Sequence, residues 1–392
     1  MKLGPGKNDK EDRSDHPDIS IILPAMNEEL TIGRCIERIR DGLSRCELSA
    51  EIVVSDSSSD RTPEIARSMG ARVVHPKNRG YGNAYLEGFR ASRGGIIVIG
   101  DSDGTYDFSE LPRLVAPILK GADLVVGSRF QGTMEKGSMP ALHYYIGNPL
   151  LTKILNLAFK TNYSDTHSGF RAITRTAWES LNLRSTGMEF ASEMLVMASI
   201  NGLKVAEVPI SYSPRVAASK LHSFADGWRH LRFLFLLKPI PFLAIPGLLF
   251  SLMGVMLMGI FSLYGDVNQL HLNTFILGAF FLIGGVQFVL SAISIKTYSV
   301  VHGYDRMEGV AKYLMNYYNL EKMLVIGGIL IFAGILLGST IVADWISTGY
   351  GVLNQFSQAV TALLLTIVGL QVILTSIFVS MMLLNESSIP GE

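Results

Sequence analysis

Ile96-Ile97-Val98-Ile99-Gly100-Asp101-Ser102-Asp103 is an apolar run that ends in a glycine and two carboxylates one residue apart. A short run of branched apolar residues with this boundary reads as a buried strand whose polar end faces solvent. Carboxylates at such an end are hard oxygen donors that suit Mg²⁺ or Mn²⁺, ions usually held by one or two carboxylates together with substrate phosphates. The plain alternative is a solvated turn capping a helix. The rest of the chain decides between them.

Similar units lie on both sides. Ile19–Leu23, Glu51–Val54, Arg72–His75 and Asp123–Val126 read as strands. Helical spacing runs from Glu28 to about Leu43, over Thr62–Met69 behind Asp60 or Thr62 and Pro63, over Tyr81–Ser92 and over Glu110–Lys120. Strand and helix alternating at short intervals imply an α/β, mostly parallel, doubly wound sheet. Ligands of such sheets bind beyond the carboxyl ends of the strands. Pro24–Glu28, Ser55–Asp60, Asp101–Asp103 and Gly127–Arg129 all fall at those ends.

The chain is 392 residues long with 34 basic and 34 acidic residues, a balance that gives no support for a nucleic-acid partner. Only 17% of it is charged, and unevenly: Pro239–Gly265, Val267–Ile295, Met323–Ala343 and Trp345–Asn385 carry no charge. Spanning helices need about 20 apolar residues, which predicts a four-helix transmembrane domain over 239–385, with spans near 240–264, 273–295, 323–345 and 359–384. Lys296, Arg306, Lys312 and Lys322 lie between the second and third spans, and Arg229, Arg232 and Lys238 precede the first. This excess places the N-terminal domain and the C-terminus in the cytoplasm, making a multi-pass integral membrane protein. The remaining divisions are a disordered tail over 1–17 with no signal peptide, a globular domain over 18–222, a juxtamembrane amphipathic helix over 223–238 and a tail over 386–392. Pro149–Phe159 reads as either a second interfacial helix or a core-facing one. The two cysteines, Cys35 and Cys46, fit a reducing compartment and suggest neither a metal cluster nor a disulfide framework.

Taken in order, Ile22-Leu23-Pro24-Ala25-Met26-Asn27-Glu28, Ser55-Asp56-Ser57-Ser58-Ser59-Asp60-Arg61-Thr62, Asn78-Arg79-Gly80-Tyr81-Gly82-Asn83-Ala84, Asp101-Ser102-Asp103, Gly127-Ser128-Arg129-Phe130, Asp165-Thr166-His167-Ser168-Gly169-Phe170-Arg171 and Ser219-Lys220-Leu221 resemble the motifs of family 2 glycosyltransferases with a GT-A fold. More narrowly they resemble dolichyl-phosphate mannose and polyprenyl-phosphate glucose synthases. The resemblance covers about the first 235 residues, and the membrane half matches in character. Two departures stand out: Ser55-Asp56-Ser57-Ser58 replaces the usual Asp-Asp-Gly-Ser, and Met26 stands where relatives often carry an aromatic. A Gln-x-x-Arg-Trp string is absent, which argues against a processive polysaccharide synthase.

The resemblance implies a hexose moving from a nucleotide sugar (GDP-mannose or UDP-glucose) to polyprenyl or dolichyl phosphate with inversion, in contact with membrane lipid and with Mg²⁺ or Mn²⁺ as cofactor. Pro24, Met26, Glu28 and Asp56 then line the nucleoside pocket. Asp103 holds the metal, and Asp101 holds the metal or the ribose. Arg215, Ser219 and Lys220 supply the donor diphosphate with cations and hydrogen bonds, or form a juxtamembrane basic cluster. Arg129 is a phosphate contact and Arg171 a catalytic candidate. Asp165 positions the nucleophile first and acts as base second, because a phosphate monoester is already mostly a dianion at neutral pH; an Asx-type cap is its bland alternative. Glu193 is a weaker candidate. The rival readings are another lipid, protein or glycan acceptor, and a transporter or flippase that senses nucleotide sugar. Spans without internal charges count against transport.

Overall fold

The computed structural model describes residues 16–216, 223–263, 269–302, 304, 317–351 and 355–384. It divides into two compact units, Met1–Leu231 and Arg232–Glu392.

The first unit is built on a seven-stranded sheet in the order β3-β2-β1-β4-β6-β5-β7. Its strands are β1 Ile19–Ala25, β2 Ala50–Asp56, β3 Arg72–Val74, β4 Ile96–Ile99, β5 Leu124–Met134, β6 Arg171–Thr174 and β7 Val205–Tyr212. The strands β3, β2, β1 and β4 are mutually parallel, β6 runs antiparallel to both β4 and β5, and β7 is parallel to β5. Six of the seven strands therefore run the same way, as the mostly parallel sheet implied by the sequence requires, and β6 alone is reversed; one strand end is placed differently. β5 does not stop at Val126: it continues to Met134 through an irregularity after Ser128, so Gly127–Arg129 lies inside a strand instead of at its end. β6 begins with an arginine and is four residues long, and β7 contains Glu207 and Pro209, so neither shows an apolar run. Proline is tolerated in β7 because it is an edge strand.

Side chains alternate across the sheet. Ile19, Ile21 and Leu23 pack with α1 (Ile32–Ser44), α2 (Thr62–Ser68) and α4 (Leu111–Leu119), whereas Ile22, Ile97 and Ile99 pack with α3 (Tyr81–Ala91), α6 (Arg175–Leu181) and α7 (Phe190–Ile200). Buried on both faces, these strands read as continuous apolar runs. Two further helices are α5 (Asn148–Phe159) and α8 (Ser223–Leu237).

In the second unit, four long apolar helices occupy Ile245–Leu263, Gln269–Val301, Tyr317–Ser347 and Phe356–Leu384, with candidate membrane spans Ile240–Ile260, Leu272–Val301, Asn319–Ser347 and Phe356–Leu384. The second packs on the first and the fourth, and the third packs on the fourth. The middle helices outrun the stretches expected from charge alone, because Lys296 and Lys322 near their ends remain helical. Long lysine side chains at a helix end reach the interface without breaking the helix. Residues 1–15 of the expected N-terminal tail, the tail over 386–392 and the central cations Arg306 and Lys312 lie outside the described residues.

The entry to α3 is a close backbone approach near the strand ends. Gly80 has φ +144°, and a Cβ there would sit 2.5 Å from the Thr186 carbonyl oxygen. At Gly82 it would sit 2.1 Å from the Ser185 carbonyl oxygen. Gly82→Ala is expected to destabilise the protein by about 1–3 kcal/mol despite the better helix propensity of alanine. Gly95→Ala, where the added carbon meets nothing closer than 3.8 Å, should stay within about 0.5 kcal/mol of wild type. Chemical denaturation of both variants checks the pair.

Candidate functional site

Parallel register brings three polar strand ends together: Ala25 of β1 lies opposite Asp56 of β2, and Ile22 lies opposite Ile99 just before Asp101. The loops after these strands are stitched to one another. Ser102 Oγ donates to the Pro24 carbonyl at 2.6 Å, and Thr31 Oγ1 donates to the Ser102 carbonyl at 2.7 Å. The Glu28 amide donates to Thr62 Oγ1 at 2.9 Å, tying the β1 end to α2.

The two acids of the opening string have different surroundings. Asp101 Oδ1 accepts from the Tyr81 hydroxyl at 2.9 Å and the Tyr85 hydroxyl at 3.2 Å. Burial and the neighbouring Asp103 charge push its carboxyl up to about 6, against the pull of the two hydroxyls. Asp103 Oδ1 accepts from the Thr105 amide and hydroxyl, fixing a turn through Gly104, while Oδ2 lies 3.3 Å from Arg215 Nε. Arg215 Nη2 also donates to Glu28 Oε1 at 3.1 Å. One guanidinium thus spans carboxylates from the ends of β1 and β4. Asp56 is 2% exposed, and neither of its carboxylate oxygens has a hydrogen-bond partner. An orphaned acceptor at a strand end suits a donor group of a bound molecule. Met26 is exposed at the rim.

The β5–β6–β7 side of the sheet contributes a second ionic group. Arg129 donates from Nε to Asp165 Oδ2 at 2.7 Å and from Nη2 to Oδ1 at 2.8 Å, and its backbone amide also reaches Oδ2 at 3.1 Å. Both residues are buried, Asp165 completely. Burial would raise the Asp165 carboxyl, but Arg129 outweighs it and holds the group below the usual carboxylate range. The Arg129 guanidinium also lies 5.1 Å from the centre of the Tyr212 ring. Glu207 on β7 fixes the approach, accepting from the Ser164 and Asp165 amides.

A family model described as glycosyl transferase family 2 matches residues 20–181, and one described as the family 2 C-terminal transmembrane region matches 293–383. A low-salt glycan biosynthesis hexosyltransferase, Agl6, of Haloferax volcanii is 39% identical over 92% of this chain and 88% of its own length. The chain belongs to glycosyltransferase family 2. A dolichyl-phosphate hexose transferase of the same organism is 36% identical over 54% of this glycosyltransferase and 89% of its own length. A crystal structure of glucosyl-3-phosphoglycerate synthase from Mycobacterium tuberculosis with Mn²⁺, UDP and glucosyl-3-phosphoglycerate is similar at 26% identity and TM-score 0.46, covering 56% of this chain and 79% of that one.

The fold thus brings Glu28, Asp101, Asp103 and Arg215 together, sets Pro24 and Asp56 at adjoining strand ends, and pairs Arg129 with Asp165. Ser219 and Lys220 lie outside the described residues. Arg171 requires correction. It is 1% exposed, and its guanidinium donates to the carbonyls of Ser168, Ala191 and Thr166 at 2.8, 2.6 and 2.9 Å, so it braces the loop after Asp165 instead of performing chemistry. Glu193 is likewise structural, accepting from the Arg184 and Ser185 amides. It thereby holds the segment against which Gly80 and Gly82 pack. Tyr81, Tyr85, Tyr212 and Glu207 escaped the sequence reading. Tyrosines one helical turn apart in α3 were the available signal for the first two.

Asp165→Asn should cost about 3–5 kcal/mol, because it leaves Arg129 buried without its counter-charge. Arg129→Met with Asp165→Leu should recover much of that stability, and thermal unfolding of both variants checks it. A second outcome concerns acid. Burial, then His230, Arg129 and Arg171, hold the His167 imidazole well below its ordinary value, with Asp165 opposing. The unfolded chain takes up this proton below about pH 6.5 and the folded chain does not. Stability is therefore complete above that pH and falls as the pH drops below it, and His167→Gln should flatten the fall in a series of unfolding curves.

Proposed function

We propose that this glycosyltransferase moves a hexose, mannose or glucose, from a nucleotide diphosphate sugar to a polyprenyl phosphate with inversion at the anomeric carbon. The observation that carries the reading is the cluster of Glu28, Asp101, Asp103 and Arg215 at the strand ends, with the Arg129–Asp165 pair anchored in the neighbouring strand β5. The name of the Haloferax dolichyl-phosphate hexose transferase supports the acceptor class.

The donor nucleoside is assigned to Pro24, Met26, Glu28 and Asp56. The buried Asp56 carboxylate, which has no hydrogen-bond donor and only the His75 imidazole at 3.8 Å, is assigned to accept from base N–H groups, which uracil and guanine both offer. Among the described residues no group of three or more His, Cys, Asp or Glu converges. Hard oxygen donors of high charge nevertheless fit Mg²⁺ or Mn²⁺ completed by substrate phosphate. Asp103, with Asp101, is assigned to hold that ion, which when bound neutralises the diphosphate and assists its departure. Arg215, with Ser219 and Lys220, offsets charge developing on the leaving diphosphate.

In the transfer an oxygen of the acceptor phosphate attacks the anomeric carbon as the bond to the donor diphosphate breaks, releasing nucleoside diphosphate and a sugar-phosphate lipid. The dianionic nucleophile needs no base. Asp165, fully buried and paired, holds Arg129 in place, and Arg129 Nη1, outside the fork, is the nitrogen assigned to the acceptor phosphate.

The boundaries 18–222 for catalysis, 223–238 for the juxtamembrane helix and 239–385 for the spans, with catalytic domain and C-terminus cytoplasmic, belong to the same reading. The exposed side chains of Leu142, Tyr145, Ile146, Leu150 and Leu157 along α5 and the turn before it support interfacial seating of that segment.

Purified protein incubated with polyprenyl phosphate, Mg²⁺ or Mn²⁺ and a panel of nucleotide sugars should form a chloroform-extractable sugar lipid. Asp103→Asn should lower kcat on the order of 10²-fold or more. If no donor gives a sugar lipid and Asp103→Asn behaves as wild type, the reading fails.

A further inference from the structure

A line of polar side chains in the catalytic unit runs from α5 to α8 past the Arg129–Asp165 pair. Thr152 Oγ1 on α5 lies 2.8 Å from Thr166 Oγ1, which lies 3.0 Å from His167 Nδ1. The His167 ring meets the His230 ring edge to face, with centroids 4.6 Å apart and planes at 86°. His230 Nδ1 lies 2.9 Å from Ser192 Oγ on α7. Thr152, Thr166, Ser192 and His230 are all buried, and His167 Nε2 is a buried atom without a hydrogen-bond partner.

This line touches the ionic pair directly. The His167 amide donates at 3.2 Å to Asp165 Oδ1, the oxygen that also receives Arg129 Nη2. Burying two imidazoles and three hydroxyls is costlier than burying an aliphatic cluster of the same size. The polar contacts return orientation: each ring is fixed by a directional bond, and a shift of one helix is felt at the other end. His230 lies in the part of α8 that belongs to the first unit, and nearby Trp228 is exposed.

We propose that His167 and His230 are positioning residues that lock α8 to the loop 165–168, so that the Arg129 guanidinium is aimed at the acceptor phosphate while α8 is docked. The inference rests on the proposed function in taking Arg129 as the acceptor-phosphate contact. It assigns to the two imidazoles the task of joining membrane attachment to acceptor geometry. The donor side, held by Glu28, Asp103 and Arg215, is outside this line.

The test uses the full-length protein in lipid nanodiscs with His230→Ala, His167→Ala and the double variant. In His230→Ala, hydrogen exchange should rise at the amides of 165–168, a loop distant in sequence. The KM for polyprenyl phosphate should rise about 5–10-fold, with kcat and the donor KM within about twofold. The double variant should be no worse than the worse single one, since the two act through one contact. Unchanged exchange at 165–168 in His230→Ala, or a fall in kcat with an unchanged acceptor KM, overturns the proposal. Ser192→Ala removes one hydroxyl and serves where His230→Ala does not fold: a smaller shift of the same kind supports the proposal, and none overturns it. Failure of every arm, wild type included, to make sugar lipid overturns the functional reading, and the exchange measurement still decides the coupling.

Discussion

A carboxylate with no exposed surface is costly unless a cation or hydrogen-bond donors meet it inside the protein, and Asp165 meets Arg129 with both oxygens. That fork joins the middle of β5 to the loop before β6, while Glu207 of β7 gathers the amides of Ser164 and Asp165. The β5–β6–β7 side of the sheet is therefore organised around one charge pair. Coulomb attraction in a low dielectric barely offsets the desolvation of two ions, so such a pair contributes little net stability compared with apolar side chains. Its benefit is directional. A bidentate fork fixes the plane of the guanidinium, and the Tyr212 ring beside it limits its motion further.

The donor side solves a related electrostatic problem differently. Arg215 is shared between Glu28 and Asp103, keeps about a fifth of its side-chain surface exposed, and makes no bidentate fork. Arginines that are buried and doubly bound hold geometry. One that is split between two carboxylates and reached by solvent can exchange partners at lower cost. The two halves of the site thus differ in stiffness as well as in charge.

Much of this was legible in the chain. β1, β2 and β4 are apolar runs closed by polar residues, and their parallel register follows from alternation with helices. The long apolar helices are visible from charge-free length alone. Partners are harder to read than elements. Arg171 looked like a charge for chemistry because it follows Asp165 closely, and only the fold shows three backbone carbonyls converging on it. Nothing in an arginine's sequence neighbourhood distinguishes carbonyls from phosphates as its acceptors. Likewise, β6 and β7 were hidden because an antiparallel insertion needs few residues and an edge strand tolerates Glu207 and Pro209. The glycines of Asn78–Ala84 were recognisable by resemblance, but their cause, the carbonyls of Ser185 and Thr186, lies a hundred residues away.

The opening pair of acids can now be divided on physical grounds. Tyrosine hydroxyls stabilise the Asp101 charge without neutralising it, whereas Asp103 faces a full positive charge. Glu28 and Asp103 share the single Arg215 guanidinium, and the Asp101 carboxyl next to Asp103 is pushed up to about 6, so negative charge is in excess at the strand ends. Such an excess is unfavourable for a diphosphate and favourable for a divalent cation.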